Sequence, residues 1–489
     1  MRLLIECTYV YEHPQDNSGI QRVVRNVINN LGQLDTAVEC IPVILKQDRV
    51  YRVMRLDPTE HHPLKSQLHN WLSLQHSRLS RLRQKISLYQ AARLRTERYR
   101  RSGLLRSLLA VGCRTTQLAL ALAQKCMAHI TLNYVDTSRL QELECHSEDV
   151  LVLLDSSWHA DFFPVAERLK SEGVTIVSVI YDLIPLTHPQ FCDDGLVRVF
   201  EQWFDWVTRT ADGYIAISQT IIQQVQQEVQ HRIGEEAAAK RWFDYFHLGS
   251  DLDRANPRST VRRELKKAFA QRPVYLMVST IEPRKNHGYL LDAFEQLWDQ
   301  GVDVGLCFVG KIGWKTEQLI ERVRQHPRLK THLHMWNDLS DRELEYSYIN
   351  ARSLVFPSHV EGFGLPLVES MQRELPVMAS DIPVFREVGG DSTAYFDLDD
   401  PGSLARLVKQ FEDTDVFPAR GDSSGWNWQS WNSSTRQLIN RVQAHTQSER
   451  PVTVEQIVDD RHHPYHRNLC RQIPDVQQGH QTVHHQQVE

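Results

Sequence analysis

At 489 residues the chain is too long for a single hydrophobic core, so two domains with additions are expected. With 41% hydrophobic and 24% charged residues and a formal charge of −5, it has the make-up of a soluble globular protein, and no whole-chain basic excess points to nucleic acid. No run approaches the roughly 18 apolar residues of a membrane span, and the first seven residues lack the apolar core and cleavage site of a signal peptide.

Residues 3–7 predict a buried strand, residues 12–19 a polar loop, and the apolar spacing of Val23, Val24, Val27, Ile28 and Leu31 a helix. Strand, glycine-bearing loop and helix suit a phosphate, although Gly19 reads equally well as a turn glycine. Residues 37–44 predict the next strand. From about 60 to 130 the rhythm changes: leucines mix with arginines, and Glu97 is almost the sole acid between Arg78 and Arg114. This is a basic helical insertion, and residues 70–115 read either as an element lying on an anionic membrane surface or as a solvated insertion.

Residues 150–154 and 174–180 are continuous apolar runs of strand length, the mark of a parallel sheet covered on both faces. Each ends in polar residues, Asp155 to His159 and Tyr181-Asp182, and ligands of open α/β sheets bind at such strand ends. Residues 213–217 predict a further strand. The polar, arginine-rich stretch 254–263 marks a domain boundary, placed after residue 258.

The second half repeats the alternation, with strands predicted at 274–279, 304–309, 332–335, 353–356, 377–379 and 393–396. Phe356-Pro357 ends one of them, a loop carries Glu361 and Gly362-Phe363-Gly364, and an apolar-periodic helix opening at Pro366 carries Glu369. Free N–H groups at such a helix start suit an anion, and the flanking carboxylates suit sugar hydroxyls. Trp426, Trp428, Trp431, Leu438, Ile439 and Val442 predict a closing helix over 426–445. The polar segment 446–489 reads as a disordered tail whose histidines are solvated rather than metal-binding. The eight cysteines form no CxxC pair, so reduced cytoplasmic thiols are expected.

Four motifs resemble those of the family 4 retaining glycosyltransferases of the GT-B fold, in particular bacterial mannosyl- and rhamnosyltransferases of O-antigen and surface polysaccharide synthesis. They are Ser18-Gly19-Ile20-Gln21-Arg22-Val23-Val24, Tyr181-Asp182-Leu183-Ile184-Pro185, Glu282-Pro283-Arg284-Lys285-Asn286-His287, and Glu361 through Glu369. The resemblance covers roughly residues 1–50 and 145–440. It implies an α/β architecture of two Rossmann-like domains facing a cleft, with the acceptor on 1–258 and the nucleotide-sugar donor on 259–425.

By the same resemblance Glu361 contacts the donor sugar and Glu369 the ribose. Gly362, Phe363, Gly364 and Leu365 border the donor, and Gly19 brings backbone near its diphosphate. Cleaving a sugar–diphosphate bond builds negative charge on the leaving oxygen, and Arg284 and Lys285 are the cations placed to meet it. Relatives often carry a further arginine where this chain has Ser279-Thr280. Asp182 matches a position near the donor sugar, and it reads equally as the cap of a turn before Pro185. The resemblance implies transfer with retention, no metal and no cofactor. The expected substrates are a nucleotide-sugar, GDP-mannose first, and a lipid-linked saccharide acceptor. The expected location is the cytoplasm, or the inner face of its membrane. A UDP-sugar donor and a catalytically degenerate scaffold are the alternatives.

Overall fold

The structure, a computed structural model, describes residues 1–448 apart from 15–17, 37, 47, 55, 57–74, most of 76–101, 133–138, 160–161, 251–259 and 422–427. In the first sheet, β1 (Arg2–Glu6), β2 (Glu39–Lys46), β3 (Arg49–Val53), β4 (Leu140–Glu142), β5 (Val150–Leu153), β6 (Thr175–Ile180), β7 (Gly213–Ala216) and β8 (Trp242–Tyr245) follow the order β4-β3-β2-β1-β5-β6-β7-β8. Leu4 of β1 is flanked in parallel register by Ile41 of β2 and Leu151 of β5. Only the β2–β3 and β3–β4 pairings are antiparallel. The apolar runs that predicted parallel strands are buried except at Thr175, as two-sided cover requires. Strands β3, β4 and β8 went unread in the sequence: β4 has three residues and β8 is only half-buried.

The second sheet is parallel throughout. Strands β9 (Val274–Val278), β10 (Gly305–Val309), β11 (Leu333–Trp336), β12 (Ser353–Phe356), β13 (Val377–Ser380) and β14 (Thr393–Phe396) lie in the order β11-β10-β9-β12-β13-β14. Counted from β9 this is the dinucleotide-fold order, in which the direction of winding reverses between the first and fourth strands, here β9 and β12. The first sheet reverses between β1 and β5. These two crevices are where ligand chemistry belongs.

Helix Gly19–Leu31 buries Val23, Val24, Val27 and Leu31, and helix Asp194–Thr210 buries Phe200, Trp203, Phe204 and Val207 in a second core cluster. At about 1.5–3 kcal/mol for each large side chain removed from water, these faces fix the helices that shape the strand ends.

Most of the basic stretch expected over 60–130 lies outside the described residues. Its longest described part is helix Gly103–Leu132, which exposes leucines. Leu104, Leu108, Val111, Leu118 and Leu122 are 57–74% exposed, alongside exposed Arg114. At helical spacing these five apolar residues share one face. Among the described residues no helix is long and apolar enough to cross a membrane. The described cysteines Cys7, Cys40, Cys113, Cys145, Cys192 and Cys307 are free.

The closing helix runs Trp431–Ser448, and it packs on the first sheet's side of the molecule. His445 stacks on Trp242 at 4.5 Å and meets Asp244 at 3.0 Å, and Ser434 donates to the His247 carbonyl at 2.7 Å. Trp426, the boundary segment 251–259 and the tail beyond Ser448 lie outside the described residues.

Candidate active site

The loop after β12 is shaped by two glycines. Gly364 has φ +96° and caps helix Leu365–Met371, and a Cβ there would lie 2.7 Å from the Phe385 ring. A Cβ on Gly362 would lie 2.3 Å from the Tyr181 carbonyl oxygen, so the second half's loop touches the first half's backbone where only glycine fits. Ser218, at the end of β7, donates to the Gly362 carbonyl at 3.0 Å from the same side. Phe363 is buried against His247 and Trp428, and Leu365 is buried as well. These two residues therefore hold the loop's shape with their side chains.

Across the crevice, the segment after β9 forms a single helical turn, Pro283–Lys285, that presents two cations to Glu361. The Glu361 carboxylate, 8% exposed, accepts from Lys285 Nζ at one oxygen and from Arg284 Nη1 at 2.8 Å at the other. Arg284 Nε also pairs with Glu282 at 2.6 Å, and the Arg284 carbonyl accepts from His359 N at 2.9 Å, which joins the β9 and β12 loops. Burial alone would raise the Glu361 carboxyl, but Arg284 and Lys285 hold it down at about 2. Burial, reinforced by Arg284, pushes the Lys285 ammonium below its ordinary value in spite of Glu361. Burial raises Glu282. The cluster is a dense set of preorganised charges at the switch point, with little water to reorganise.

The first half supplies less charge. Asp182 accepts from Ile184 N at 3.0 Å, as the turn-capping reading expects, yet the carboxylate also lies in the field of Arg284 and Lys285. Burial raises its carboxyl, and Arg284 opposes the shift. Gly19 is the first residue of helix Gly19–Leu31, behind the capping pair Ser18 and Gln21. A Cβ on Gly19 would meet nothing within 4 Å, so no contact inside the protein requires glycine there. His188 is half-buried beside Thr187.

Sequence reasoning passed over three groups that the structure brings forward. Arg22 Nη2 bridges to Glu369 at 2.6 Å, although Arg22 stands in a quoted motif. Tyr348 donates to the other Glu369 oxygen at 2.7 Å. Glu387 accepts from Gln219 N at 2.7 Å, Thr220 N at 2.8 Å and His247 Nε2 at 2.7 Å, so a carboxylate of the second half sits on the N-terminus of first-half helix Gln219–Ile233. Glu387 and Tyr348 carry no motif, and only their fold neighbours give them meaning.

Residues 260–421 match the family described as glycosyl transferases group 1. That stretch is a third of the chain. A serotype-specific mannosyltransferase WbdA of Escherichia coli is 33% identical over 301 residues, 60% of this chain and 37% of that relative. The chain thus spans little more than a third of that relative's length. The O-antigen chain mannosyltransferase B of Escherichia coli is 26% identical over 291 residues, 58% of this chain and 74% of the relative. Among solved structures, a sucrose-phosphate synthase from Thermosynechococcus elongatus superposes with a TM-score of 0.51 at 14% identity, covering 91% of this chain and all of that one. The fold is therefore the two-sheet GT-B architecture that the motifs implied.

Proposed function

We propose that the protein transfers a hexose, mannose or a related deoxyhexose, with retention, from a GDP-linked donor to a lipid-linked saccharide in O-antigen or surface-polysaccharide synthesis. The observation that carries this reading is the Arg284–Glu361–Lys285 cluster at the switch point between β9 and β12. A nucleotide diphosphate laid across that crevice meets two cations fixed before it arrives. They stabilise the charge that grows on the leaving phosphate oxygen, and Glu361 holds them in place while facing the sugar. Asp182 faces the same space from the first half, where it can accept from a sugar hydroxyl. In this mechanism the leaving phosphate receives the acceptor's proton, and Arg and Lys take the place of a metal. The mannosyltransferase names of the relatives support the sugar.

The row of Leu104, Leu108, Val111, Leu118 and Leu122 supports an acceptor met at a membrane surface, since an exposed leucine face beside cations suits an anionic bilayer. Sedimentation with anionic liposomes tests this, and equal sedimentation of a Leu108→Glu, Leu118→Glu variant would sink it.

The deciding experiment incubates purified protein, with and without EDTA, with GDP-mannose, GDP-rhamnose and UDP-sugars and a mannosylated lipid acceptor. Transfer from a GDP donor, indifferent to EDTA, is expected. Absence of both transfer and donor hydrolysis in a folded protein would refute the reading, and transfer from UDP-sugars alone would correct the base.

A further inference from the structure

The charges around the switch point are already committed to one another. Arg284 holds Glu282 and Glu361, Lys285 holds Glu361, and the half-buried Asp182 side chain adds a further acid. Two cations thus face three carboxylates before any ligand enters. A nucleoside diphosphate brings about two to three more negative charges, which a low-dielectric crevice tolerates only beside additional cations.

Arg22 is the cation that the fold places next to this segment. It lies in the first turn of helix Gly19–Leu31, three residues beyond Gly19, and its guanidinium crosses from the first half to Glu369 in helix Leu365–Met371. The bond is to Glu369 Oε1 at 2.6 Å. If Arg22 leaves, the Glu369 carboxylate keeps the Tyr348 hydroxyl on Oε2 at 2.7 Å. A ribose hydroxyl can donate to Oε1 in the place of Arg22.

Resting on the donor reading above, we propose that Arg22 is a diphosphate-binding residue supplied by the first half and held on Glu369 until the nucleotide arrives. The ribose hydroxyl then displaces the guanidinium from Oε1, and the guanidinium turns to the diphosphate, whose oxygens match its fork of donors. This exchange gives the site a preference. A nucleoside must break the Arg22–Glu369 bridge and offers the guanidinium no anion in return, whereas a nucleoside diphosphate breaks it and supplies one. Binding of the diphosphate also ties helix Gly19–Leu31 to the second half through the ligand.

Calorimetry on the full chain with guanosine and GDP, and with uridine and UDP as the second base, tests the exchange. For Arg22→Gln the affinity for the nucleoside diphosphate is expected to fall at least tenfold while that for the nucleoside stays level or rises, with a lowered thermal midpoint because the buried Glu369 loses its cation. Arg22→Lys, which keeps the charge and loses the fork, is expected to fall between the two and guards against a folding defect in the glutamine variant. Equal loss for nucleoside and diphosphate, or no loss for either, overturns the assignment of Arg22 while leaving the donor reading in place. A wild-type protein that binds neither diphosphate overturns both.

Discussion

The two switch points are built differently. Between β9 and β12 the strand ends are crowded with charge, and Glu282, Arg284, Lys285 and Glu361 satisfy one another within the second half. Between β1 and β5 the charges are two buried acids, Glu6 and Asp155, held by main-chain N–H groups: Thr8 N at 2.6 Å and Asp155 N at 3.1 Å on Glu6, and Val10 N at 2.7 Å on Asp155. Burial raises both carboxyls, so this pair ties two loops together and offers no cation. A crevice rich in fixed cations suits a diphosphate, and one lined by buried carboxyls and backbone suits an uncharged saccharide. On the function proposed above, the leaving group would meet its cations mainly in the second half and the acceptor would lie against the first.

The largest expected break of this asymmetry is Lys285→Ala, which removes the cation buried against Glu361. We expect kcat/KM to fall at least a hundredfold, about 2.7 kcal/mol, in a donor-transfer assay, and an unaltered rate would return the chemistry to the first half. Gly362→Ala probes the contact between the halves. A Cβ 2.3 Å from the Tyr181 carbonyl must push them apart, so about a tenfold loss in kcat/KM is expected; a wild-type rate would show that the contact does not shape the active state.

The pH profile sharpens the same point. The Lys285 ammonium is held below its ordinary value, so the charged form is lost as pH rises through a value lower than that of a free lysine, and the alkaline limb of kcat/KM follows it. Lys285→Arg should move that limb to higher pH, and an unmoved limb would mean that another group sets it. The smallest effect belongs to Gly19→Ala: a Cβ there meets nothing in the protein, so the thermal midpoint should hold while diphosphate affinity drops about threefold. Unchanged affinity would remove Gly19 from the donor's surroundings.

The second half was more legible than the first because its strands announce themselves as unbroken apolar runs and its site residues are contiguous in the chain. Glu361 and Glu369 flank one loop, and Arg284 and Lys285 are neighbours, so local sequence held the pattern. Arg22 was visible as part of a motif, but its partner lies 347 positions away, and no local pattern conveys that distance. Glu387 is a further case: a glutamate in a short helix has no meaning until the N-terminus of Gln219–Ile233 is seen in front of it. The antiparallel edge, β3 and β4, was missed because strands of five and three residues are too short for alternation to show. Most of the basic helical expectation lies outside the described residues, and in Gly103–Leu132 the exposed leucine face shows which side chains point outward, which residue frequency alone does not say.

The helix Trp431–Ser448 comes last among the described elements, yet its partners are Trp242, Asp244, His247 and Leu248. The first half is therefore discontinuous, and the second half is inserted before its final piece. During synthesis, residues 1–245 emerge without the helix that covers β8, while the segment that forms β9 to β14 arrives whole and can fold as it leaves the ribosome. The order of assembly thus runs against the order of the sequence: the half made first is completed last, when Trp431 reaches Gly249.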